Sequence, residues 1–308
     1  MPTSHVVILL ASFQGAAHLT TQLDSLADQT HEDWSLIVSD DGSTDGTQDR
    51  VAEFSGRYGQ GRVTLIDGPR AGATMNFLSL IDHVPRGAMA AFCDQDDLWL
   101  PHKLARAVEV LNPLPGPGHY AARTIITDAR LKPIAESRRF RRPFGIRNAL
   151  VQACMAGNTS VFNSSAVRLL QNAAPHARQA GIIAHDWWAY QLMAAHRARL
   201  IHDPRPALLY RQHPRSEVGR NDTLPALSAR LRQLMAGDFG GWLRANHTSL
   251  ACLDLPPDSR TALDHLGTML TRPGPQALMA MLQGRFYRQT RAGTAALALS
   301  ALTGSLRA

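Results

Sequence analysis

Three carboxylates within four residues form the group in this chain whose types and spacing could most directly do chemistry. Asp94, Asp96 and Asp97 follow the apolar run of residues 90–93 without a gap. Like charges this close repel one another, so the cluster costs free energy unless a cation lies beside it. Carboxylate oxygens suit a hard divalent cation. The alternative is a polar turn, with Asp97 capping the next helix.

Strand and helix patterns alternate around this cluster. Apolar runs at residues 5–11, 34–39, 63–66 and 88–93 predict four strands, and apolar residues at helical spacing lie between them. This alternation predicts an open, mostly parallel α/β sheet with right-handed crossovers. Ligands bind such sheets at the carboxyl ends of the strands.

Polar clusters follow three of these predicted strands, at residues 12–15, 40–43 and 94–97. Because the carboxyl ends of parallel strands meet at one edge, we expect the three clusters to converge. Residues 41–52 also match the start of a calcium-binding loop. Ala52 stands where that loop needs a glutamate, so we reject this interpretation.

The alternation loosens beyond residue 100. Shorter strands are predicted at residues 123–128, 157–162, 199–201 and 207–210, and only helical patterns follow residue 224. The sequence therefore predicts an α/β domain over residues 1–220 and a helical C-terminal extension over residues 221–308. The extension could contact a membrane or the acceptor of a reaction.

Two later motifs add groups that could act on a ligand. Asp186 stands beside Trp187 and Trp188 at a predicted helix start, where indoles could line a sugar or a base. The alternative is an ordinary first-turn aspartate next to core tryptophans. Arg211 and His213 supply a cation and an imidazole just after a predicted strand.

The charge is unevenly distributed. Residues 1–100 hold 5 Lys/Arg against 14 Asp/Glu, whereas residues 101–308 hold 27 against 11. The acidic part suits metal binding, and the basic part suits phosphates, nucleic acid or an anionic membrane surface. The sequence contains no recognition-helix signature and no aromatic-rich motif for single strands, so we expect no nucleic-acid partner.

The chain also carries signals about its compartment. Its three cysteines show no metal-ligand spacing and fit a reducing environment. The apolar run near the N-terminus is too short for a signal peptide, and no stretch approaches the roughly 18 apolar residues of a membrane span. We expect a cytoplasmic location, with peripheral contact at the inner face of the cell membrane as a further hypothesis.

Taken in order, the motifs at residues 11–15, 40–45, 94–97 and 185–188 with 210–213 resemble the family 2 glycosyltransferases, which have the GT-A fold. The sequence of residues 93–99 is similar to the corresponding motif of bacterial rhamnosyltransferase-like members. The resemblance covers residues 5–220. Two departures are Ser-Phe-Gln at residues 12–14, where Thr-Tyr-Asn is usual, and Gln95 in the middle of the Asp-x-Asp motif.

The resemblance implies a mixed, mostly parallel sheet flanked by helices. It also implies an inverting transfer of a sugar, rhamnose being one candidate, from a dTDP- or UDP-linked donor. The acceptor would be a hydroxyl of a glycan or lipid-linked molecule in cell-envelope polysaccharide synthesis. The implied base is Asp186, the implied ligands of Mg²⁺ or Mn²⁺ are Asp96 and His213, and the implied donor contacts are Ala11, Ser12, Phe13, Asp40, Asp41, Arg70, Asn76 and Asp94.

Two other functions stay open at this point. A nucleotidyltransferase can share a nucleotide-binding α/β half, and it would release pyrophosphate rather than a nucleoside diphosphate. A non-catalytic module that binds nucleotide sugars or glycans would bind a donor without turnover. The chain keeps carboxylates suited to binding a metal and a carboxylate suited to accepting a proton, which argues against such a module.

Overall fold

The computed structural model describes residues 4–58, 61–212 and 238–307. The chain divides into two compact units. The first comprises residues 1–139, 155–174 and 198–214, and the second comprises residues 140–154, 175–197 and 215–308. The domain boundary predicted at residue 220 lies outside the described residues and stays a prediction.

The first unit is built on one mixed sheet. Its strands are β1 (Val6–Ser12), β2 (Trp34–Asp40), β3 (Val63–Asp67), β4 (Met89–Cys93), β5 (Leu98–Trp99), β6 (Gly118–Thr127), β7 (Pro133–Glu136), β8 (Val161–Phe162) and β9 (Arg199–Arg211). They lie in the order β3-β2-β1-β4-β8-β6-β9-β5, with β7 paired to β6. The strands β3, β2, β1 and β4 are mutually parallel, and so are β6 and β9. The α/β class with a mostly parallel sheet is thereby confirmed.

Helices flank this sheet and make up most of the second unit. The helices of the first unit are α1 (Ala16–Ala27), α2 (Thr47–Tyr58), α3 (Ala73–Ile81) and α4 (Lys103–Leu111), with a short 3-10 helix (Gly157–Thr159). The helix α6 (Ser164–Ala180) passes from the first unit into the second. The others are α5 (Ile146–Ala149), α7 (His185–Ala195), α8 (Asp238–Ala251), α9 (Pro257–Thr271), α10 (Gly274–Gln283) and α11 (Arg291–Thr303). The predicted helical C-terminal part is thus present, and no described helix is long and apolar enough to cross a membrane.

The continuous apolar runs explain why the central strands form. Every residue of β1 and of β4 is buried, as expected for parallel strands covered on both faces. On one side, Leu10 of β1 shares a core with Leu23 of α1 and Phe54 of α2. The core therefore fixes the positions of the strands whose carboxyl ends lead into the polar clusters.

The later strands differ in detail from the sequence prediction. The strand β6 begins at Gly118, and residues 157–159 form a 3-10 helix instead of strand. The two strands predicted between residues 199 and 210 form the single strand β9. Its register shifts opposite Arg123, where Pro206 is the partner residue. Because proline lacks an N–H, it fits at such an irregularity without losing a ladder hydrogen bond.

Candidate active site

The strand register brings the three polar clusters to one edge of the first unit. Ser12 at the end of β1 pairs with Asp40 at the end of β2, and Asp40 pairs with Asp67 at the end of β3. On the other side of β1, Leu10 pairs with Cys93, the residue before the acidic cluster. The loops after β1, β2 and β4 therefore start side by side.

Asp40 binds several groups of the loops at this edge. Its side chain is buried, and one carboxylate oxygen accepts from the hydroxyls of Ser12 and Ser43 at 3.1 and 2.5 Å. The other accepts from the Ser43 N–H at 2.9 Å and the Gln48 amide at 2.8 Å. Burial works to raise the pKa of Asp40, but these bonds outweigh it and lower the pKa. All four acceptor positions are taken, so the carboxylate holds the loop together; its predicted contact with the base stays a prediction.

The turn after β1 is bonded to the loop after β2. The N–H groups of Gly15 and Ala16, at the start of α1, donate to Thr47 and Asp45 at 2.9 and 3.0 Å. These bonds satisfy donors that a helix N-terminus leaves open. Gln14 adopts a left-handed conformation and donates from its N–H to the Ser43 hydroxyl at 2.8 Å. The neighbouring Phe13 is held in place while its side chain is 55% exposed.

Asp41 shapes the loop that carries Arg70. Its two oxygens accept from the N–H groups of Arg70 and Gly72 at 2.6 and 2.8 Å. Arg70 has a φ of 56°, a strained conformation that these bonds stabilise. A Cβ on Gly42 would lie 3.3 Å from Nε of Arg70, so the guanidinium side chain passes close over the loop after β2. Arg70 therefore lies close to the loop after β2, and its predicted role as a donor contact stays a prediction.

Ala11 and Asn76 lie deeper. Ala11 is the penultimate residue of β1 and is buried, and Asn76 of α3 is 1% exposed. The Asn76 amide donates to the Ser39 carbonyl of β2 at 2.9 Å. Asn76 therefore ties α3 to the sheet, and its predicted role as a donor contact stays a prediction.

Gln95 connects the acidic loop to the turn after β1. Its side-chain oxygen accepts from the Phe13 N–H, and its side-chain nitrogen donates to the Phe13 carbonyl, both at 2.9 Å. A Cβ on Gly15 would lie 2.2 Å from that oxygen, so only glycine leaves room for the Gln95 side chain. The residue in the middle of the Asp-x-Asp motif is thus a two-bond clamp between two loops of the candidate site.

The acidic cluster is compact enough to hold a cation. Asp94, Asp96 and Asp97 each offer an oxygen, and these oxygens lie within 4.8 Å of one another. Asp94 and Asp96 are partly exposed, whereas Asp97 is fully buried. Burial raises the pKa of Asp97 to about 7, and the charge of Asp96 adds to the shift. A divalent cation would remove both costs, so the donor set fits the expected metal.

Asp97 does not cap a helix, because α4 begins only at Lys103 and is preceded by His102. One oxygen of Asp97 accepts from the Asn158 amide at 2.7 Å, and the other accepts from the Arg211 N–H at 3.3 Å. With both oxygens bonded inside the protein, Asp97 supports the loop, and Asp94 and Asp96 are the carboxylates better placed to bind an ion.

Lys103 lies fully buried beneath this loop. Its ammonium donates to the Asn158 carbonyl at 2.6 Å and lies 2.9 Å from the centre of the Trp99 ring. Burial lowers the pKa of Lys103 to about 7, opposed by the nearby Cys93, Asp97 and Asp94. The lysine, Asn158 and Asp97 thus form one connected polar chain under the cluster.

Arg211 adds a second cation at the same place. Its Nε donates to the Asp96 carbonyl at 2.8 Å, and its guanidinium donates to the Ala129 carbonyl at 2.8 Å. Burial lowers the pKa of Arg211, while the charges of Asp96 and Asp97 work against that shift. His213 lies outside the described residues, so its predicted role as a metal ligand stays a prediction.

Asp186 belongs to the second unit. It is in the first turn of α7, is partly exposed, and accepts from the Trp187 N–H at 2.6 Å. Burial lowers the pKa of its neighbour His185 to about 4, so that imidazole is neutral near pH 7. Asp186 is therefore beside a neutral ring, and its role as the base stays a prediction.

Of the two interpretations of Trp187 and Trp188, the structure supports the alternative, core tryptophans beside a first-turn aspartate. Trp187 is 5% exposed, donates from its indole nitrogen to the Ala149 carbonyl at 2.7 Å, and stacks on Phe239. Trp188 is fully buried. Both indoles pack inside the second unit, where their apolar area stabilises the fold and offers no face to a sugar.

Sequence reasoning missed Lys103 and Asn158 and the clamp made by Gln95. A signal for Lys103 was present, because it falls on the same helical face as the apolar residues Ala107 and Leu111. A lysine on an apolar face needs a buried partner. Asn158 has no comparable signal, since the chain brings it to Asp97 only through folding.

Comparisons with known proteins agree with this geometry. The family model for glycosyl transferase family 2 matches residues 7–160, half of the chain. The chain is similar to the dTDP-rhamnosyl transferase RfbG of Shigella flexneri, with 26% identity over 79% of this chain and 83% of RfbG. It is also similar to the β-1,3-glucosyltransferase WfgD of Escherichia coli, with 28% identity over 34% of this chain and 40% of WfgD.

Solved structures share the fold. The structure of S. aureus TarS 1-349 in complex with UDP-GlcNAc superposes with a TM-score of 0.56 at 14% identity, covering 91% of this chain and 81% of TarS. The mannosyltransferase PcManGT of Pyrobaculum calidifontis, in complex with GDP-Man and Mn²⁺, superposes with a TM-score of 0.52 at 19% identity. The match covers 97% of this chain and 87% of PcManGT. These likenesses confirm the predicted GT-A fold.

Proposed function

Because the chain belongs to glycosyl transferase family 2, we propose that it moves a sugar from a nucleoside diphosphate to an acceptor hydroxyl with inversion. The acceptor is a glycan or a lipid-linked molecule in cell-envelope polysaccharide synthesis. The observation that carries this proposal is the compact group of Asp94, Asp96 and Asp97 at the sheet edge, next to the turn after β1. The family membership makes the chain a glycosyltransferase; the finer assignments below are proposals.

The donor binds along the edge formed by the loops after β1, β2 and β4. Ser12 and Phe13 meet the nucleoside, and the exposed ring of Phe13 offers it an apolar face. Asp94 meets the ribose. Arg70 lies over the loop after β2, where its cation suits a diphosphate. Asp40 and Asp41 hold these loops in the required shape through their internal hydrogen bonds.

Asp94 and Asp96 would hold a divalent cation, Mg²⁺ or Mn²⁺, with His213 as a further ligand. Such an ion would supply Lewis-acid stabilisation of the charge on the departing diphosphate. The chain's own part is to keep the carboxylates close together. This support comes from the hydrogen-bonded group of Asp97, Asn158 and Lys103. Arg211 adds to it through its bond to the Asp96 carbonyl.

Asp186 acts as the general base. The acceptor oxygen forms a bond to the anomeric carbon while the bond from that carbon to the diphosphate breaks, and the hydroxyl proton passes to Asp186. The carboxylate already accepts the Trp187 N–H, which fixes its orientation. A single displacement of this kind inverts the anomeric centre.

The donor sugar is proposed to be rhamnose on a dTDP carrier, with UDP-linked sugars as the second choice. The support is the likeness to RfbG, whose name states dTDP-rhamnosyl transfer, at 26% identity over most of both chains. WfgD, whose name states UDP-Glc as the donor, supports the second choice through a shorter match.

A ligand screen followed by product analysis tests this proposal. We expect dTDP-rhamnose or a UDP-sugar with Mn²⁺ to raise the melting temperature, because binding to the folded state stabilises it. We also expect transfer to a lipid-linked acceptor to release a nucleoside diphosphate. Released pyrophosphate would identify a nucleotidyltransferase, and saturable binding without turnover on any acceptor would identify a binding module.

Two variants assign the roles. Asp96→Asn should lose metal-dependent donor binding and transfer, whereas Asp186→Asn should bind the donor normally and slow transfer by about a hundredfold or more. Asp28→Asn, an exposed aspartate after α1, is the matched control and should retain both. Unchanged transfer by Asp186→Asn would remove it as the base.

A further inference from the structure

The last two helices of the second unit carry exposed apolar side chains along one face each. The exposed apolar positions are Met279 and Leu282 on α10, and Ala292, Ala295, Leu299 and Leu302 on α11. Their spacing of three and four residues puts them on a single face of each helix. Leu282 and Leu299 are 59% and 58% exposed, although buried residues such as Met281 and Leu297 lie on the opposite faces.

The two helices that carry these faces pack against each other. Near their ends, a Cβ on Gly274 would lie 2.4 Å from the Leu302 carbonyl oxygen. Such a close approach is possible only because residue 274 is glycine. We call this pair, with its exposed residues, the α10–α11 face. Exposed apolar patches of this kind mark interaction sites.

The charge around the face has one sign. From residue 265 to the end of the chain there are five arginines and no aspartate or glutamate. Arg272, Arg285, Arg291 and Arg307 are exposed, and they stand just outside or at the ends of α10 and α11. The exposed aliphatic side chains and these guanidinium groups thus belong to the same two helices and their ends.

We propose that the α10–α11 face docks on an anionic lipid surface, which would hold the protein peripherally at a membrane. Such a surface offers acyl chains to the leucines and phosphates to the arginines. A second copy of this chain fits less well, because pairing two such faces would oppose arginines without any carboxylate between them. A nucleic acid would satisfy the arginines but not the aliphatic side chains.

Liposome flotation of the full-length protein tests this directly. The vesicles contain phosphatidylcholine with or without 30% phosphatidylglycerol. We expect binding to the anionic vesicles alone, weakening as salt is raised. No donor or acceptor is present, so the outcome is independent of sugar transfer.

Paired variants locate the surface. Leu299→Gln with Leu302→Gln should reduce binding about tenfold or more, and Arg272→Gln, Arg285→Gln and Arg291→Gln should each reduce it about fivefold. The apolar control is Leu65→Gln with Ile134→Gln, which removes two exposed aliphatic side chains from the first unit. The charge control is Arg86→Gln with Arg168→Gln, also exposed in the first unit.

The controls should bind as the unaltered protein does. Equal losses in the control variants, or no binding to anionic vesicles at low salt, would overturn the proposal. Analytical ultracentrifugation without lipid adds a second check. A dimer that the Leu299→Gln, Leu302→Gln variant converts to a monomer would show that a second copy covers the face. Circular dichroism melting confirms that each variant is folded before it is scored.

Discussion

The Gln95 clamp shows how one side chain can connect two functional loops. Its amide makes both bonds to the Phe13 backbone. We expect Gln95→Ala to raise the KM for the donor about tenfold, with a smaller change in kcat. The reason is that the turn carrying Phe13 would no longer be held in its binding position. Steady-state kinetics at varied donor concentration measure the two constants separately.

Gly15 supplies an internal check on this prediction. Gly15→Ala should resemble Gln95→Ala, because the new Cβ would occupy the place of the Gln95 oxygen. In the double variant the second change should add little, since the clamp is already lost. Gln171→Ala is the control: its amide also makes two bonds, to the Ile81 and Val84 carbonyls, away from the sheet edge. Additive losses, or a raised donor KM in the control, would contradict the clamp.

Lys103 allows a prediction about the support beneath the acidic cluster. Lys103→Met keeps the size of the side chain but removes the bond to the Asn158 carbonyl and the charge over Trp99. We expect the free energy of unfolding to fall by about 2 kcal/mol. Added Mn²⁺ should recover part of this loss, because the ion replaces a positive charge near Asp94 and Asp97. Urea unfolding measures the free energy of unfolding with Mn²⁺ and with chelator. An equal loss of stability in both conditions would show that Lys103 does not support the acidic cluster.

At the residue scale, the sequence predicted what lies next to a strand end. The carboxylates after β2 and β4 are found at the expected edge because strand register follows from apolar runs. The partners of those carboxylates could not be predicted. Asn158 reaches Asp97, and Gln95 reaches Phe13, across 61 and 82 residues of chain. The sequence could not choose between core tryptophans and a sugar-binding wall at Trp187 and Trp188, because tryptophans near an aspartate indicate a core as readily as a sugar site; the structure shows a core.

Several elements of the first unit meet at a single buried carboxylate. Asp203 of β9 accepts from Arg106 of α4 at 2.7 Å and from the Tyr120 hydroxyl of β6 at 3.0 Å. Burial alone would raise its pKa, but these bonds and the Arg205 N–H lower it. We expect Asp203→Asn to lower the free energy of unfolding by about 2 kcal/mol, because the partly exposed Arg106 and the Tyr120 hydroxyl would lose a charged, buried partner.

The pH dependence of that loss has a defined sign. A carboxyl whose pKa is lower in the folded state stabilises the fold above its unfolded pKa, about 3.9. The stabilisation is lost as the pH falls through the lower, folded pKa. The difference between the two proteins should therefore be constant from about pH 5 to 8 and shrink below about pH 4. Asp258→Asn, which breaks an exposed pair with Arg197, is the control and should cost less than about 1 kcal/mol at any pH.

At this scale the sequence predicted long elements well and short or interrupted ones poorly. The strands β1, β2 and β4 carry continuous apolar runs, so their positions were predicted to within a residue or two. The strand β5 has two residues and β7 is largely exposed, so neither has a pattern. The prolines in β9 made it look like two strands in the sequence. A strand accepts proline where its pairing with the neighbouring strand is irregular, and the sequence does not show where that occurs.

Across the whole molecule, the second unit joins segments far apart in the chain. Asn148 of α5 donates to the Tyr287 carbonyl at 3.0 Å and accepts from the Tyr190 hydroxyl of α7 at 2.9 Å. Gln289 donates to the Arg142 carbonyl at 3.0 Å. Because these bonds link residues 140–154 and α7 to the C-terminal helices, those helices are part of the support for Asp186.

The last prediction concerns this support. In the full-length chain, Gln289→Ala should speed hydrogen exchange in α5 and α7 while leaving β1 unchanged, because only the second unit loses the two bonds between the Gln289 side chain and the Arg142 backbone. Phe239→Ala, which removes the stack on Trp187, should do the same. Gln283→Ala, an exposed change at the end of α10, is the control and should leave all three elements as they were. Exchange followed by mass spectrometry gives the local rates. Equal protection of α7 in all variants would mean that it is held independently of residues 238–307, in which case a chain ending at residue 220 should keep α7 folded.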